Sequence, residues 1–111
     1  MTVYEFGDIV LVDFPQSASE QAKRRPAVVI LDIADADVLL APSPTRERTG
    51  AGEIEIHGWR DAGLLRESWV RLAKVACLEK RIVARRLGRL SDADRTHLAL
   101  AWRSLFERLP L

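Results

Sequence analysis

The segment Pro26-Ala27-Val28-Val29-Ile30-Leu31-Asp32-Ile33 constrains this chain more than any other stretch. Its near-continuous, β-branched apolar run reads as a strand buried on both faces, since a half-exposed strand would alternate polar and apolar residues. Pro26 is tolerated at the strand start, where no ladder hydrogen bond is yet required. Ala34-Asp35-Ala36 makes a short turn and Asp37 to Pro42 returns as the next strand, so the segment is one arm of a hairpin.

The flanking sequence supplies more short strands. Gly7-Asp8 leads into Ile9-Val10-Leu11-Val12-Asp13-Phe14, a strand that Pro15 is expected to end. Gln16 to Arg25 is polar and reads as a loop. Ser43 to Gly52 is a second polar loop, punctuated by Pro44 and two glycines. Glu53 to His57 and Ser68 to Leu72 alternate polar and apolar residues, the period of a strand with one buried face. Gly58 to Leu65 and Lys74 to Lys80 read as helical turns, and Ile82 to Leu87 as a last short strand. Ser91 has the form of a helix cap, with Asp94 three residues on. Leu98, Ala101, Trp102, Leu105, Phe106 and Leu109 then recur at helical spacing. The expected architecture is mainly β with helices (α+β): a strongly bent sheet or partly open barrel, with a C-terminal helix packed on it.

Composition narrows the class. The chain has 111 residues, 48% of them hydrophobic and 30% charged, which fits one domain around one core and excludes a disordered chain. No apolar run approaches the roughly 20 residues that span a bilayer. Glu5 and Asp8 stand where a signal peptide would carry a basic patch and an apolar stretch. Cys77 is the single cysteine, so a reducing, cytoplasmic setting is expected.

The net charge of +1 conceals a split: residues 1–45 hold three basic against seven acidic residues, and residues 46–111 hold 14 against nine. The run Lys80, Arg81, Arg85, Arg86 and Arg89 is either a solvated face or a surface for phosphate, which the planar guanidinium fork matches. Metal chemistry is set aside, because His57, His97 and Cys77 have no ligand spacing. A serine hydrolase is set aside for want of a Gly-x-Ser-x-Gly elbow. Trp59, Trp69 and Trp102 read as core, with Trp59 alone a candidate platform for stacking a base.

What remains is the pairing of the two polar loops. Glu20, Lys23, Arg24 and Arg25 precede the buried strand, while Ser43, Thr45, Arg46 and Arg48 follow the strand that pairs with it. In an antiparallel hairpin both loops emerge at one edge, so arginine, hydroxyl and carboxylate groups converge. That set suits phosphoryl chemistry on RNA. The ribose 2′-OH attacks its own phosphate, an arginine stabilises the pentavalent charge, and a hydroxyl orients a phosphate oxygen. The competing reading is a polar rim without chemistry.

The ordered motifs Gly7-Asp8-Ile9-Val10-Leu11-Val12-Asp13-Phe14, Ser19-Glu20-Gln21-Ala22 and Arg24-Arg25-Pro26-Ala27-Val28-Val29-Ile30 resemble the opening of the MazF/PemK (Kid) toxins of type II toxin–antitoxin modules. Val38 to Pro42, Ser68 to Val75 and Arg86 to Leu90 resemble that family's later strands. The resemblance implies a single toxin domain over residues 1–111, built as an SH3-like barrel of the MazF/Kid/CcdB type with a C-terminal helix. It further implies a homodimer, a cognate antitoxin partner, and metal-independent, sequence-specific cleavage of single-stranded mRNA, with no cofactor and no membrane. On its motif the catalytic arginine falls on Arg25, and Glu20 is a general base or orienting group. Lys23, Arg24, Arg46 and Arg48 would contact RNA.

One departure stands out. The family commonly has a threonine two residues after the Ala-Pro of the third strand, and here Pro44 occupies that place. Either neighbouring hydroxyl, Ser43 or Thr45, could substitute through a one-residue shift, with Thr45 preferred. The alternative is a non-catalytic toxin on the same barrel. It would be either a gyrase-poison-like protein leaning on Phe106, Leu109 and Leu111, or a degenerate toxin that only binds an antitoxin.

Overall fold

The structure, a computed structural model, describes residues 2–16 and 19–110; for 14–16 and 19–22 it describes the backbone alone. The elements run β1 (Asp8–Gln16), β2 (Ser19–Leu31), β3 (Asp37–Pro42), β4 (Glu53–Ile56), β5 (Ser68–Arg71), β6 (Ala76–Glu79), β7 (Val83–Arg89) and α1 (Asp92–Phe106). Five strands form one antiparallel sheet in the order β6-β3-β2-β1-β7, and β4 and β5 pair separately. The apolar strand that opens the sequence argument is therefore the central one.

Both of its faces are covered from Ala27 to Ile30, whereas Leu31 and Ile33 are exposed and the strand ends at Leu31, short of the expected Ile33. Ile9, Val28, Ile30 and Ala41 pack on one side against Ile56, Leu64, Val70 and Leu72 of the β4–β5 layer and against Leu98 of α1. On the other side Val10, Val12, Ala27, Val29, Val38 and Leu40 form a second cluster, joined by Tyr4, Leu78, Ile82 and Val83. Burying an apolar side chain of this size is worth about 1.5–3 kcal/mol, so the two clusters dominate the stability of the sheet.

The connection between β6 and β7 sets the curvature. These are the two outermost strands, yet only a 3-10 turn of three residues, Lys80–Ile82, joins them. Laid flat, five strands would separate their edges by about 19 Å, whereas a 3-10 turn advances only about 2 Å per residue. The sheet must therefore curl until its edges nearly meet. The second cluster lies inside that curl, and the barrel stays open between β6 and β7.

Three further sequence expectations change. Residues 19–25 are strand rather than loop: β1 continues to Gln16 and β2 begins at Ser19, so the two strands project as a ribbon with Asp13 opposite Arg24 and Phe14 opposite Lys23. Pro15 does not end β1, because its missing N–H falls where the register shifts between Phe14 and Gln16. The expected helical turn at Lys74 to Lys80 is mostly strand β6, paired with β3, flanked by 3-10 turns at Leu72–Lys74 and Lys80–Ile82.

Three anchors fix the remaining parts. Ser91 caps α1 by accepting the Asp94 N–H at 3.1 Å. The buried Asp94 carboxylate turns away from the cap and accepts the N–H groups of His57 (3.2 Å) and Gly58 (2.8 Å), tying the helix start to the end of β4. Asp8, also buried, accepts the Glu5 N–H at 2.8 Å and the Arg89 Nε–H at 3.1 Å, so the Gly7-Asp8 motif is a structural corner. Asp32 accepts the Tyr4 N–H and the Ala34 N–H, both at 2.8 Å, and pairs with the Lys80 ammonium at 2.9 Å. Burial opposes ionisation of Asp32, but the hydrogen bonds from Tyr4, Lys80 and Ala34 outweigh it and hold the carboxyl below its ordinary value.

Finally, the β4–β5 connection lies backbone to backbone on β7. A Cβ on Gly63 would meet the Leu87 carbonyl oxygen at 2.5 Å, and one on Gly88 would meet the Ala62 carbonyl oxygen at 2.2 Å. Only glycines allow that approach.

Candidate functional site

The end of β2 at Arg25-Pro26 and the segment that follows β3 are neighbours, because Ala27 pairs with Pro42 and the Ser43 N–H donates to the Pro26 carbonyl at 3.2 Å. Between them lies a cleft of about 260 Å³ lined by Arg25, Ser43, Thr45, Arg46 and three prolines. The convergence read from the sequence is present for those four residues. The Pro44 carbonyl accepts the Trp69 N–H at 2.9 Å, which fixes the start of this segment to β5.

The two candidate hydroxyls differ in setting. Ser43 is 3% exposed and its Oγ has no hydrogen-bond partner. Thr45 is exposed and borders a second, larger space. This groove, about 540 Å³, has an apolar floor that includes Leu11, Leu64 and Leu87 and carries Arg66 and Arg85 at its sides. Pro26 and Thr45 line both spaces, so cleft and groove adjoin at those two residues.

Sequence reasoning did not single out Arg66, and it placed Arg85 only within a basic run. Arg66 reaches the groove because Gly63 and Gly88 let its loop lie on β7, a contact between positions 25 residues apart that no local motif announces. Leu65, 94% exposed at the groove's lip, is the visible trace of that loop in the sequence.

Other candidates are committed elsewhere. Arg24 donates its Nε–H to Asp13 at 2.9 Å, and Lys23 is exposed on the ribbon. Arg48 is half-buried with its Nε unpartnered, and it does not line the cleft. Glu20 lies on β2, but its side chain falls outside the described residues. Within the basic run, Lys80 is paired with Asp32, Arg81 with Glu79, and Arg86 and Arg89 with Asp8. Arg85 alone of that run lines the groove. Trp69 is core, as expected. Trp59 and Trp102 are half-buried against the first cluster, and Arg60 lies over the Trp59 ring at 4.9 Å. Phe106 and Leu109 are exposed on this chain, and Leu111 lies outside the described residues. Among the described residues no helix is long and apolar enough to cross a membrane.

A curled antiparallel sheet with one terminal helix is a fold that solved structures share over nearly their whole length. Mycobacterium tuberculosis toxin MazF-mt6 is 21% identical with a TM-score of 0.73, over 90% of this chain and 96% of its own. An endoribonuclease from a mycobacterial species is 17% identical with a TM-score of 0.75, over 99% and 98%. MazF from Deinococcus radiodurans is 21% identical with a TM-score of 0.73, over 96% and 99%. Among curated proteins none matches this sequence. The model of the PemK-like, MazF-like toxins of type II toxin–antitoxin systems matches residues 5–106, and the chain belongs to that family.

Proposed function

We propose that this chain is a metal-independent endoribonuclease that cuts single-stranded mRNA, acts as a homodimer in the cytoplasm, and is held in check by a cognate antitoxin. The whole chain, residues 1–111, forms that one toxin domain. The observation that carries the reading is that the Arg25 cleft adjoins, at Pro26 and Thr45, the groove beside Arg66 and Arg85. A strand of RNA laid along both places a phosphate at Arg25 and its neighbours along the groove. The endoribonuclease solved with its cognate antitoxin and the MazE–MazF complex of Deinococcus radiodurans support the antitoxin assignment.

In the reaction, the ribose 2′-oxygen loses its proton and bonds to the adjacent phosphorus. The bond from phosphorus to the 5′-oxygen breaks, and that oxygen takes up a proton. The products are a 2′,3′-cyclic phosphate and a 5′-hydroxyl. Arg25 stabilises the negative charge of the pentavalent phosphorus. Thr45, exposed and common to both spaces, orients a phosphate oxygen in place of the threonine that Pro44 displaces. Ser43 is too buried for that contact unless the loop shifts. Glu20 serves as general base or orients the 2′-OH. Lys23, Arg46, Arg66 and Arg85 supply phosphate contacts. With a net charge of only +1, binding rests on these five placed cations, and they give log K a slope of about −3 to −4 against log salt.

The test is incubation of the purified protein with a long RNA in the presence of a chelator, with mapping of the cut ends. Arg25→Ala should lower the rate about 10²- to 10³-fold with the fold intact, and Thr45→Ala should lower it strongly. Cleavage that requires a divalent ion, or that survives Arg25→Ala, overturns the mechanism. Toxicity with intact RNA and damaged DNA would instead point to a non-catalytic poison.

A further inference from the structure

The β1–β2 hairpin leaves the sheet at a definite rung. β7 pairs with β1 only from Asp8 to Val12, and β3 pairs with β2 only from Ala27 onward. Beyond Val12 and Arg25, which face each other, the hairpin is a two-stranded ribbon. Such a ribbon is marginally stable alone and relies on its cross-strand pairs. The first rung past the sheet is Asp13 opposite Arg24, and these side chains form an ion pair at 2.9 Å.

Arg25 thus sits between a fully buried anchor, Val12, and an ionic one. Successive side chains on a strand point to opposite faces. Arg24 and Asp13 therefore share the face of Leu11 and Pro26, next to the groove, and Arg25 lies on the other face with Val12. We propose that Asp13 and Arg24 are positioning residues: their ion pair fixes the pitch of the ribbon where it leaves the sheet and so aims the Arg25 guanidinium into its cleft. This inference rests on the ribonuclease reading, and it reassigns Arg24 from RNA contact to alignment.

The two roles predict opposite effects at Asp13. If Arg24 contacted RNA phosphate, removing Asp13 would free it and tighten binding. If the pair aligns Arg25, removing either partner lowers turnover. For an exposed pair, the ratio of aligned to misaligned ribbon should fall by up to about fivefold, so Asp13→Asn and Arg24→Gln should each lower kcat by a measurable factor no larger than that. KM and the salt dependence should stay unchanged, and the double variant should be no worse than either single one. The exchange of Asp13→Arg with Arg24→Asp should restore kcat.

Wild-type cleavage and loss of cleavage in Arg25→Ala serve as controls. If both hold and the paired variants cut at the wild-type rate, only the positioning proposal falls. It also falls if Arg24→Gln raises KM and flattens the salt slope by about one unit. If the wild type does not cut, the ribonuclease reading falls. The pair is then tested by hydrogen exchange, where Asp13→Asn should speed exchange at Arg24 and Arg25, and unchanged exchange overturns it.

Discussion

Gly88→Ala adds one methyl group where β7 meets the β4–β5 connection. That Cβ would lie 2.2 Å from the Ala62 carbonyl oxygen and 2.8 Å from its carbon. Ordinary non-bonded contact needs the loop to back away by about 1 Å. Gly88 does not have a left-handed backbone, whereas Gly63 has φ +93°, so alanine at Gly88 meets only the steric cost. Overpacking of this kind costs about 1–3 kcal/mol, which for a domain of this size lowers Tm by about 5–15 °C. The displaced loop carries Leu64, Leu65 and Arg66 along the groove. RNA cleavage should therefore lose apparent affinity, with KM rising more than kcat falls. Thermal melting followed by circular dichroism, alongside steady-state cleavage, reads both effects. Gly63→Ala should be worse, since it adds backbone strain to a similar clash. A Gly88→Ala protein melting within about 2 °C of wild type, with unchanged KM, would refute the proposed seating of the loop.

Asp32→Ala leaves the Lys80 ammonium, among the described residues, with only the Thr2 carbonyl at 2.9 Å and removes the acceptor of the Tyr4 and Ala34 N–H groups, and should cost about 1–3 kcal/mol by urea denaturation. Because the folded protein holds the Asp32 carboxyl below its ordinary value, its contribution is complete above the unfolded carboxylate pKa of about 3.9. That contribution is lost as pH falls through the lower folded value, so acid titration of Asp32→Asn should show a shallower loss of stability there than wild type. Asp94→Ala removes the acceptor for two N–H groups at the end of β4, a loss of about 1–3 kcal/mol, and amide exchange should quicken at His57 and Gly58. Ser91→Ala should cost about 1 kcal/mol through its helix cap alone.

Elements governed by local pattern are legible in the sequence. The buried strand Pro26 to Leu31, the turn at Ala34 to Ala36, β3, β4, β5 and the capped helix follow from apolar period and capping residues. The strand at residues 19–25 is not legible, since its polar sequence mimics a loop and only cross-strand register makes it sheet. β6 escaped because four residues with little alternation take their strand character from pairing with β3. In the site, Arg25, Ser43, Thr45 and Arg46 converge as hairpin geometry requires. Arg66 did not appear, because a glycine pair distant in sequence brings it there, and the ion pair of Arg24 with Asp13 across the ribbon is set by cross-strand register rather than by any local motif.

The three-residue turn at Lys80–Ile82 also governs the order of assembly. The β1–β2 and β2–β3 hairpins close short stretches of chain and are cheap to form early. The two outer strands are different: once β6 docks on β3, the turn presents β7 to β1 at high effective concentration, and the reverse holds equally. Neither edge gains its full pairing until the three central strands have curled. The two edges should therefore form, and melt, as one cooperative unit.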